Sequence, residues 1–223
     1  MFIRRLTTLA AVAALAVGVT ACGDDEEETS GGGGGSTTEQ QSKPEPVAQI
    51  DKLSGEVTAV KLDAGFVEAL ESLKVTPGVL GDAKLENGSL KFPITGGNVT
   101  YYEPGSVSPY VQGMIDHKGS GFSLTAGGKQ VDLENFVVAP GTSTLTGKVS
   151  VDGKVAAESA PLFFLDGGTL QPLRTTDDGR AVLEGTTVKL KEEAAMLLND
   201  TYGIDALEAG LVIGVAKITV NTQ

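Results

Sequence analysis

The sequence predicts a mainly β fold, an antiparallel β-sandwich with two short helices in a repeated strand-helix-strand unit. One observation is a series of short runs with alternating apolar and polar residues, cut by turn residues about every 8 to 12 positions. Another is a strand and helix pattern near the start of the folded part that recurs near its end. Because the chain has one cysteine, the fold must be held by packing and strand pairing and not by disulfides.

The first 21 residues are typical of a lipoprotein signal peptide. Arg4 and Arg5 precede an apolar run over residues 6–18, and Val19-Thr20-Ala21-Cys22 has the form of a bacterial lipobox. The run is shorter than the roughly 20 apolar residues that a membrane-spanning helix needs. We therefore expect lipidation at Cys22 and a mature chain anchored to the cell membrane on its extracytoplasmic face.

Residues 22–47 are predicted to form a disordered linker, followed by a single β-sandwich domain over residues 48–223. The linker has an acidic run at 24–28 and five consecutive glycines at 31–35. It offers few apolar side chains to offset the entropy of ordering. We expect a flexible tether that holds the domain near the lipid surface.

The charge of the mature chain excludes some partners. Removal of Arg4 and Arg5 leaves 15 basic residues against 29 acidic ones, a net charge of −14. Nucleic acids and anionic lipid surfaces repel such a protein.

The folded part is expected to begin with a strand over residues 56–62, where apolar residues alternate with polar ones. Asp63 is a candidate N-cap for an amphipathic helix, whose apolar residues recur from Phe66 until Pro77-Gly78 stops the pattern.

The central part is predicted to be a series of antiparallel strands. Asn87-Gly88 and Asp152-Gly153 each lie between two alternating runs and favour tight hairpins. Gly96-Gly97 and Gly119-Ser120-Gly121 are also expected to be turns. The strands are predicted over residues 83–86, 90–94, 99–102, 110–117, 121–126, 131–138, 143–151 and 154–165.

The end of the chain repeats its beginning. Residues 58–62 (TAVKL) match 186–190 (TTVKL), and each is followed by a helical pattern. Residues 79–85 (VLGDAKL) match 212–218 (VIGVAKI) in the same order. We expect two strand-helix-strand units that bracket the central strands, with the last strand over 211–220 closing a sheet.

No catalytic or metal motif is present, and we expect a protein that is not an enzyme. His117 is the one histidine, and neighbouring Asp116 would point to the opposite face of a strand. A zinc site cannot be assembled from one histidine and one cysteine. The Asp-Gly pairs do not follow the spacing of a calcium loop and are better explained as turns.

Three tyrosines lie close to His117 in the sequence: Tyr101, Tyr102 and Tyr110. A phenolate or imidazole beside apolar residues is what an iron porphyrin needs as an axial ligand and hydrogen-bonding partner. The alternative is that these tyrosines are ordinary strand residues that cover the sheet and that His117 lies in a loop.

Several segments between about residue 90 and residue 150 resemble the HtaA domain family, haem-binding β-sandwich modules of exported Gram-positive surface proteins. The similar segments are 90–97 (LKFPITGG), 113–119 (GMIDHKG), 122–124 (FSL), 131–138 (VDLENFVV) and 143–149 (STLTGKV). The resemblance implies that His117 has the position of the histidine that supports the haem-ligating tyrosine of the family.

The chain departs from the family pattern at that tyrosine. In the family it lies near the start of the domain, whereas residues 60–73 here contain Phe66 and no tyrosine. Haem ligation would then require Tyr101, Tyr102 or Tyr110 as a substitute.

The sequence thus predicts a membrane-anchored extracytoplasmic domain that binds a ligand without catalysis, with haem as the ligand that the resemblance implies. The alternative is a cell-envelope interaction or structural module without a small-molecule ligand. Such a module would present sheet faces to an envelope protein or wall polymer and would show a contiguous exposed apolar patch.

Overall fold

The computed structural model describes residues 44–222, which form thirteen strands and two α-helices. The strands are β1 (Ala48–Ile50), β2 (Glu56–Leu62), β3 (Thr76–Gly81), β4 (Lys84–Glu86), β5 (Ser89–Pro93), β6 (Gly96–Tyr101), β7 (Val111–Ala126), β8 (Lys129–Ala139), β9 (Thr144–Val151), β10 (Lys154–Asp166), β11 (Arg174–Thr175), β12 (Arg180–Leu190) and β13 (Val212–Asn221). The helices are α1 (Ala64–Ser72) and α2 (Glu192–Tyr202). The predicted signal peptide, Cys22 and most of the linker lie outside the described residues.

All strands belong to one antiparallel sheet. Its main path runs β1-β6-β7-β8-β9-β10-β12-β13-β2-β5-β4, while β3 pairs with β7 and β11 with β12. The sheet curls so that its inner faces meet: the ring centre of Phe92 on β5 lies 5.3 Å from that of Phe136 on β8, although five strands lie between these two along the path. The predicted mainly β class, with antiparallel strands and two short helices, is confirmed.

Both helices contribute apolar side chains to the core between the curled halves of the sheet. Phe66 and Leu70 of α1 and Leu198 of α2 are buried among residues of β7, β8 and β10. Asp63 caps α1 as predicted, because its carboxylate accepts a hydrogen bond of 2.8 Å from the backbone N–H of Gly65. None of the helices in the described part is long and apolar enough to cross a membrane.

Two of the predicted turns are wrong because their residues lie within strands. Gly96-Gly97 belongs to β6. Gly119-Ser120-Gly121 forms an irregularity within the long strand β7, where the register with β8 shifts between His117 and Gly121. The helical pattern stops before Pro77-Gly78 as predicted, since α1 ends at Ser72, and these two residues lie in β3, an edge strand whose one partner is β7.

The two strand-helix-strand units are β2-α1-β3 and β12-α2-β13, and they differ in how the second strand pairs. β13 lies between β12 and β2 and hydrogen-bonds to both, so the last strand joins the two units at the centre of one half of the sheet. β3 instead pairs with the second half of β7, whose first half pairs with β6. β7 therefore changes partner beside His117.

Candidate functional site

An apolar cavity of about 150 Å³ lies between the two curled halves of the sheet. One wall is formed by β1 and by β6 to β9, and the other by β10, β12, β13 and β2. Its apolar side chains include Ile50, Val60, Val99, Ile115, Val138, Leu145, Leu165, Leu183, Val188, Ala216 and Val220. Hydroxyl groups on the lining residues belong to Thr58, Tyr101, Tyr110, Ser143 and Thr186. No lining residue is an acid, a base or a cysteine.

The wall reaches solvent where the strands end. Pro109 and Tyr110 precede β7, Pro140 begins a short 3-10 helix between β8 and β9 that Ser143 follows, and Gly167 begins a second 3-10 helix after β10. Gly167 is exposed and the other four are half-buried. We take these connecting segments as the mouth of the cavity, because Gly167 is the one exposed residue among those that line it.

The repeated sequence segments place equivalent residues on the cavity wall. Thr58 and Val60 of β2 and Thr186 and Val188 of β12 all line the cavity. Both strands flank β13, where Ala216 pairs with Val60 on one side and with Thr186 on the other. The sequence analysis does not single out Thr58, because a threonine in an alternating strand is ordinarily an outward-facing polar residue. The match of 58–62 with TTVKL over 186–190 is the signal that groups it with another cavity residue.

His117 lies behind Thr58 in the protein interior. Its side chain is 1% exposed, and its Nε2 hydrogen-bonds with Oγ1 of Thr58 at 2.8 Å. The ring also contacts Phe92 edge-on, with 6.3 Å between the ring centres. The bond joins β7 to β2, two strands on opposite halves of the curled sheet. His117 is not among the residues that line the cavity.

Burial lowers the pKa of His117 from 6.5 to about 4, because a charged imidazole loses its hydration in the core. The backbone of Phe136 and the charge of Asp116 oppose this shift, although Nδ1 has no partner with hydrogen-bond geometry. Asp116 itself is half-buried on the other face of β7, with its carboxylate 3.9 Å from the Lys118 ammonium. His117 is therefore neutral at pH 7, and the adjacent His117 and Asp116 do not form a catalytic pair.

Two of the three candidate tyrosines line the cavity. The rings of Tyr101 and Tyr110 meet edge to face, with 5.8 Å between their centres and 89° between their planes. Burial raises the pKa of Tyr110, and Tyr101 adds to the effect. Tyr102 is buried but does not line the cavity, consistent with consecutive residues of an extended chain facing opposite sides. The structure thus brings Tyr101 and Tyr110 together at the cavity and leaves Tyr102 and His117 outside it.

The surroundings of His117 do not fit the haem-ligating arrangement that the sequence resemblance implies. The hydroxyl that His117 supports belongs to Thr58, and threonine is not among the axial ligands that proteins offer to haem iron. The cavity is also comparable in size to one that holds benzene. Tyr101 and Tyr110 are the phenols on its wall. Within residues 44–222, no three His, Cys, Asp or Glu residues are grouped so as to hold a metal ion.

Comparison with known proteins identifies the fold. No protein-family model and no curated protein matches the sequence significantly. Among solved structures, the C-terminal domain of HtaA from Corynebacterium glutamicum is similar with a TM-score of 0.54 and 13% identity, over 76% of this chain and 97% of that domain. A domain-swapped dimer of a histidine-to-alanine variant of the same domain gives a TM-score of 0.46 and 14% identity, over 71% of this chain and 91% of that one. The described domain therefore has the fold of the HtaA C-terminal domain.

Proposed function

We propose that the protein is a membrane-anchored extracytoplasmic lipoprotein whose β domain binds a small apolar ligand and does not change it chemically. The observation that carries the proposal is the apolar cavity between the curled halves of the sheet. Its lining residues include no carboxylate, imidazole, amine or thiol that could serve in acid-base or nucleophilic catalysis at pH 7. Binding is the function that such a cavity supports.

The anchoring part of the proposal rests on the sequence. The lipobox ending at Cys22 and the acidic, glycine-rich linker favour a domain tethered outside the cytoplasm. Metabolic labelling with a palmitate analogue tests it: label should be incorporated into the native chain and lost from Cys22→Ala. Equal labelling of both chains would refute lipidation at Cys22.

Haem is the ligand that the sequence resemblance implies, and Tyr101 and Tyr110 are the cavity residues that offer iron a phenolate. The test is titration of the lipid-free mature chain, residues 23–223, with haemin. A porphyrin is larger than this benzene-sized cavity, so we expect no Soret shift that depends on Tyr101 or Tyr110. A shift that Tyr101→Phe or Tyr110→Phe removes would show haem bound against these phenols. Tyr202→Phe is the matched control, because the Tyr202 hydroxyl is already engaged with the carbonyl oxygen of Leu124. A shift that survives both cavity substitutions would place the haem elsewhere.

A second assay does not depend on haem. A neutral polarity-sensitive dye should fluoresce on binding to the native chain, and Ala181→Leu should weaken it by filling part of the cavity. Ala156→Leu adds the same atoms at an exposed strand position and should leave binding unchanged. Equal binding by both variants would show that the dye does not occupy the cavity.

The alternative, an envelope interaction module without a small-molecule ligand, has less support from the geometry. It was expected to place His117 in an ordinary loop, whereas His117 lies in β7 and is 1% exposed. The nine exposed large apolar residues of the described domain are spread over both helices, five strands and the segment before β1. We therefore favour ligand binding.

A further inference from the structure

We infer that the cavity receives a hydrocarbon group of about six carbon atoms, carried by an amphiphilic ligand whose polar part remains at the mouth. This inference rests on the proposed function, since it specifies the class of ligand that the same cavity binds. It follows from the size of the cavity, the polarity of its wall and the position of its hydroxyl groups.

The size limits the buried part of the ligand. The cavity measures about 150 Å³. Apolar protein cavities of roughly this volume stay dry and bind benzene, whereas sites for whole drug-sized ligands measure roughly 300 to 1,000 Å³. Only one ring or a short alkyl segment fits between the two sheet halves as they stand.

The wall excludes a charged or strongly polar group from the interior. The Thr58 hydroxyl lines the cavity but is already engaged with Nε2 of buried His117 at 2.8 Å. Thr58 is therefore already partnered, and the lining is otherwise almost wholly apolar, with further hydroxyls at Tyr101, Tyr110, Ser143 and Thr186 alone. A polar group placed there would lose its hydration without a partner, which costs free energy. The buried part of the ligand must therefore be hydrocarbon.

The mouth offers polar groups for the rest of the ligand. The hydroxyls of Tyr110 and Ser143 belong to the half-buried connecting segments, beside exposed Gly167. A hydroxyl or other uncharged polar group of the ligand would meet them there and keep contact with water. An amphiphile with a short apolar end and a polar end satisfies both regions at once.

A chain-length series of primary alcohols tests the inference on the full mature chain without its lipid, residues 23–223. The affinity, measured by calorimetry, should rise about fourfold for each added methylene while the methylenes enter the cavity. It should level off beyond about six carbon atoms, when the chain exceeds a benzene-sized cavity. 1,6-Hexanediol should bind much more weakly than 1-hexanol, because one of its hydroxyls would be buried.

Two variants keep the result specific to this cavity. Ala181→Phe projects a ring from the wall and should abolish binding of 1-hexanol, while Ala156→Phe on an exposed strand position should not. Far-UV circular dichroism verifies that both variants fold. If Ala181→Phe does not fold, Ala181→Leu replaces it, with a smaller expected loss of 1-hexanol affinity. An affinity that rises without levelling, or that Ala181 variants leave unchanged, would overturn the inference.

The outcomes separate the inference from the proposed function. If haemin or the dye binds in a cavity-dependent way and the alcohols do not, the protein binds a ligand there but the hydrocarbon class is wrong. If neither the alcohols nor the other probes bind, both proposals fail.

Discussion

Replacing Thr58 by valine will destabilise the domain, and replacing His117 by phenylalanine in the same chain will add less destabilisation than it causes alone. The two side chains form a buried hydrogen bond of 2.8 Å, with 5% of Thr58 and 1% of His117 exposed. Valine has the shape of threonine but leaves Nε2 of His117 without a partner. Because Nδ1 already lacks one, the whole imidazole would then be buried without a hydrogen bond.

The magnitude follows from the cost of an unsatisfied buried polar group, about 1 to 3 kcal/mol. Thr58→Val and His117→Phe should each cost an amount in this range. When both partners are apolar, no buried polar group is left without a hydrogen bond. The double variant should therefore lose about 1 to 2 kcal/mol less stability than the sum of the two single variants. The coupling would show that the bond links β7 to β2 across the curled sheet.

Urea unfolding followed by far-UV circular dichroism measures these differences, since the chain has no tryptophan to serve as a fluorescent probe. Thr76→Val is the matched control, because Thr76 is an exposed strand residue and its change should stay within about 0.5 kcal/mol. A neutral Thr58→Val, or single effects that simply add, would refute the argument that the pair is a buried mutual partner.

Three further predictions concern stability. As the pH falls from 6.5 to 4, His117 becomes protonated in the unfolded chain before it does in the folded chain, so the free energy of unfolding should drop by about 3 kcal/mol. Urea unfolding at several pH values measures this drop, and His117→Phe should remove it. Gly97→Ala should lower the free energy of unfolding by more than about 2 kcal/mol, because Gly97 has a φ of 114° and an added Cβ would lie 2.0 Å from a backbone oxygen. Gly141→Ala is the control: its Cβ would meet nothing within 4 Å, so the melting temperature should stay nearly unchanged. Tyr202→Phe removes the O–H that donates to the Leu124 carbonyl oxygen at 2.6 Å and should cost about 1 kcal/mol in urea unfolding.

The tight hairpins were predictable because their geometry is local. Asn87-Gly88 and Asp152-Gly153 both connect paired strands, and all four residues have φ between 48° and 77°. Few residue types accept such angles, so the dipeptide alone specifies the turn. The N-cap of α1 at Asp63 was predictable for the same reason.

The long strand β7 was not predictable from its own residues. The composition of Gly119-Ser120-Gly121 is typical of a turn and equally of an irregularity within a strand. Which of the two forms depends on the neighbouring strands. Asn135 of β8 accepts a 2.9 Å hydrogen bond from the backbone N–H of Gly119, and β3 pairs with the strand immediately afterwards. These partners are distant in the chain, so a local pattern contains no record of them.

Alternating runs, hairpin dipeptides and two helical patterns were enough to predict an antiparallel β domain with two helices. The sequence also singled out Tyr101, Tyr110 and His117. The curl of the sheet, the contact of Thr58 with His117 across 59 residues of chain and the apolar cavity beside them are visible only in the packed fold. The alternation of apolar and polar residues along a strand indicates which of its faces is buried. What that face packs against depends on strands that are distant in the sequence.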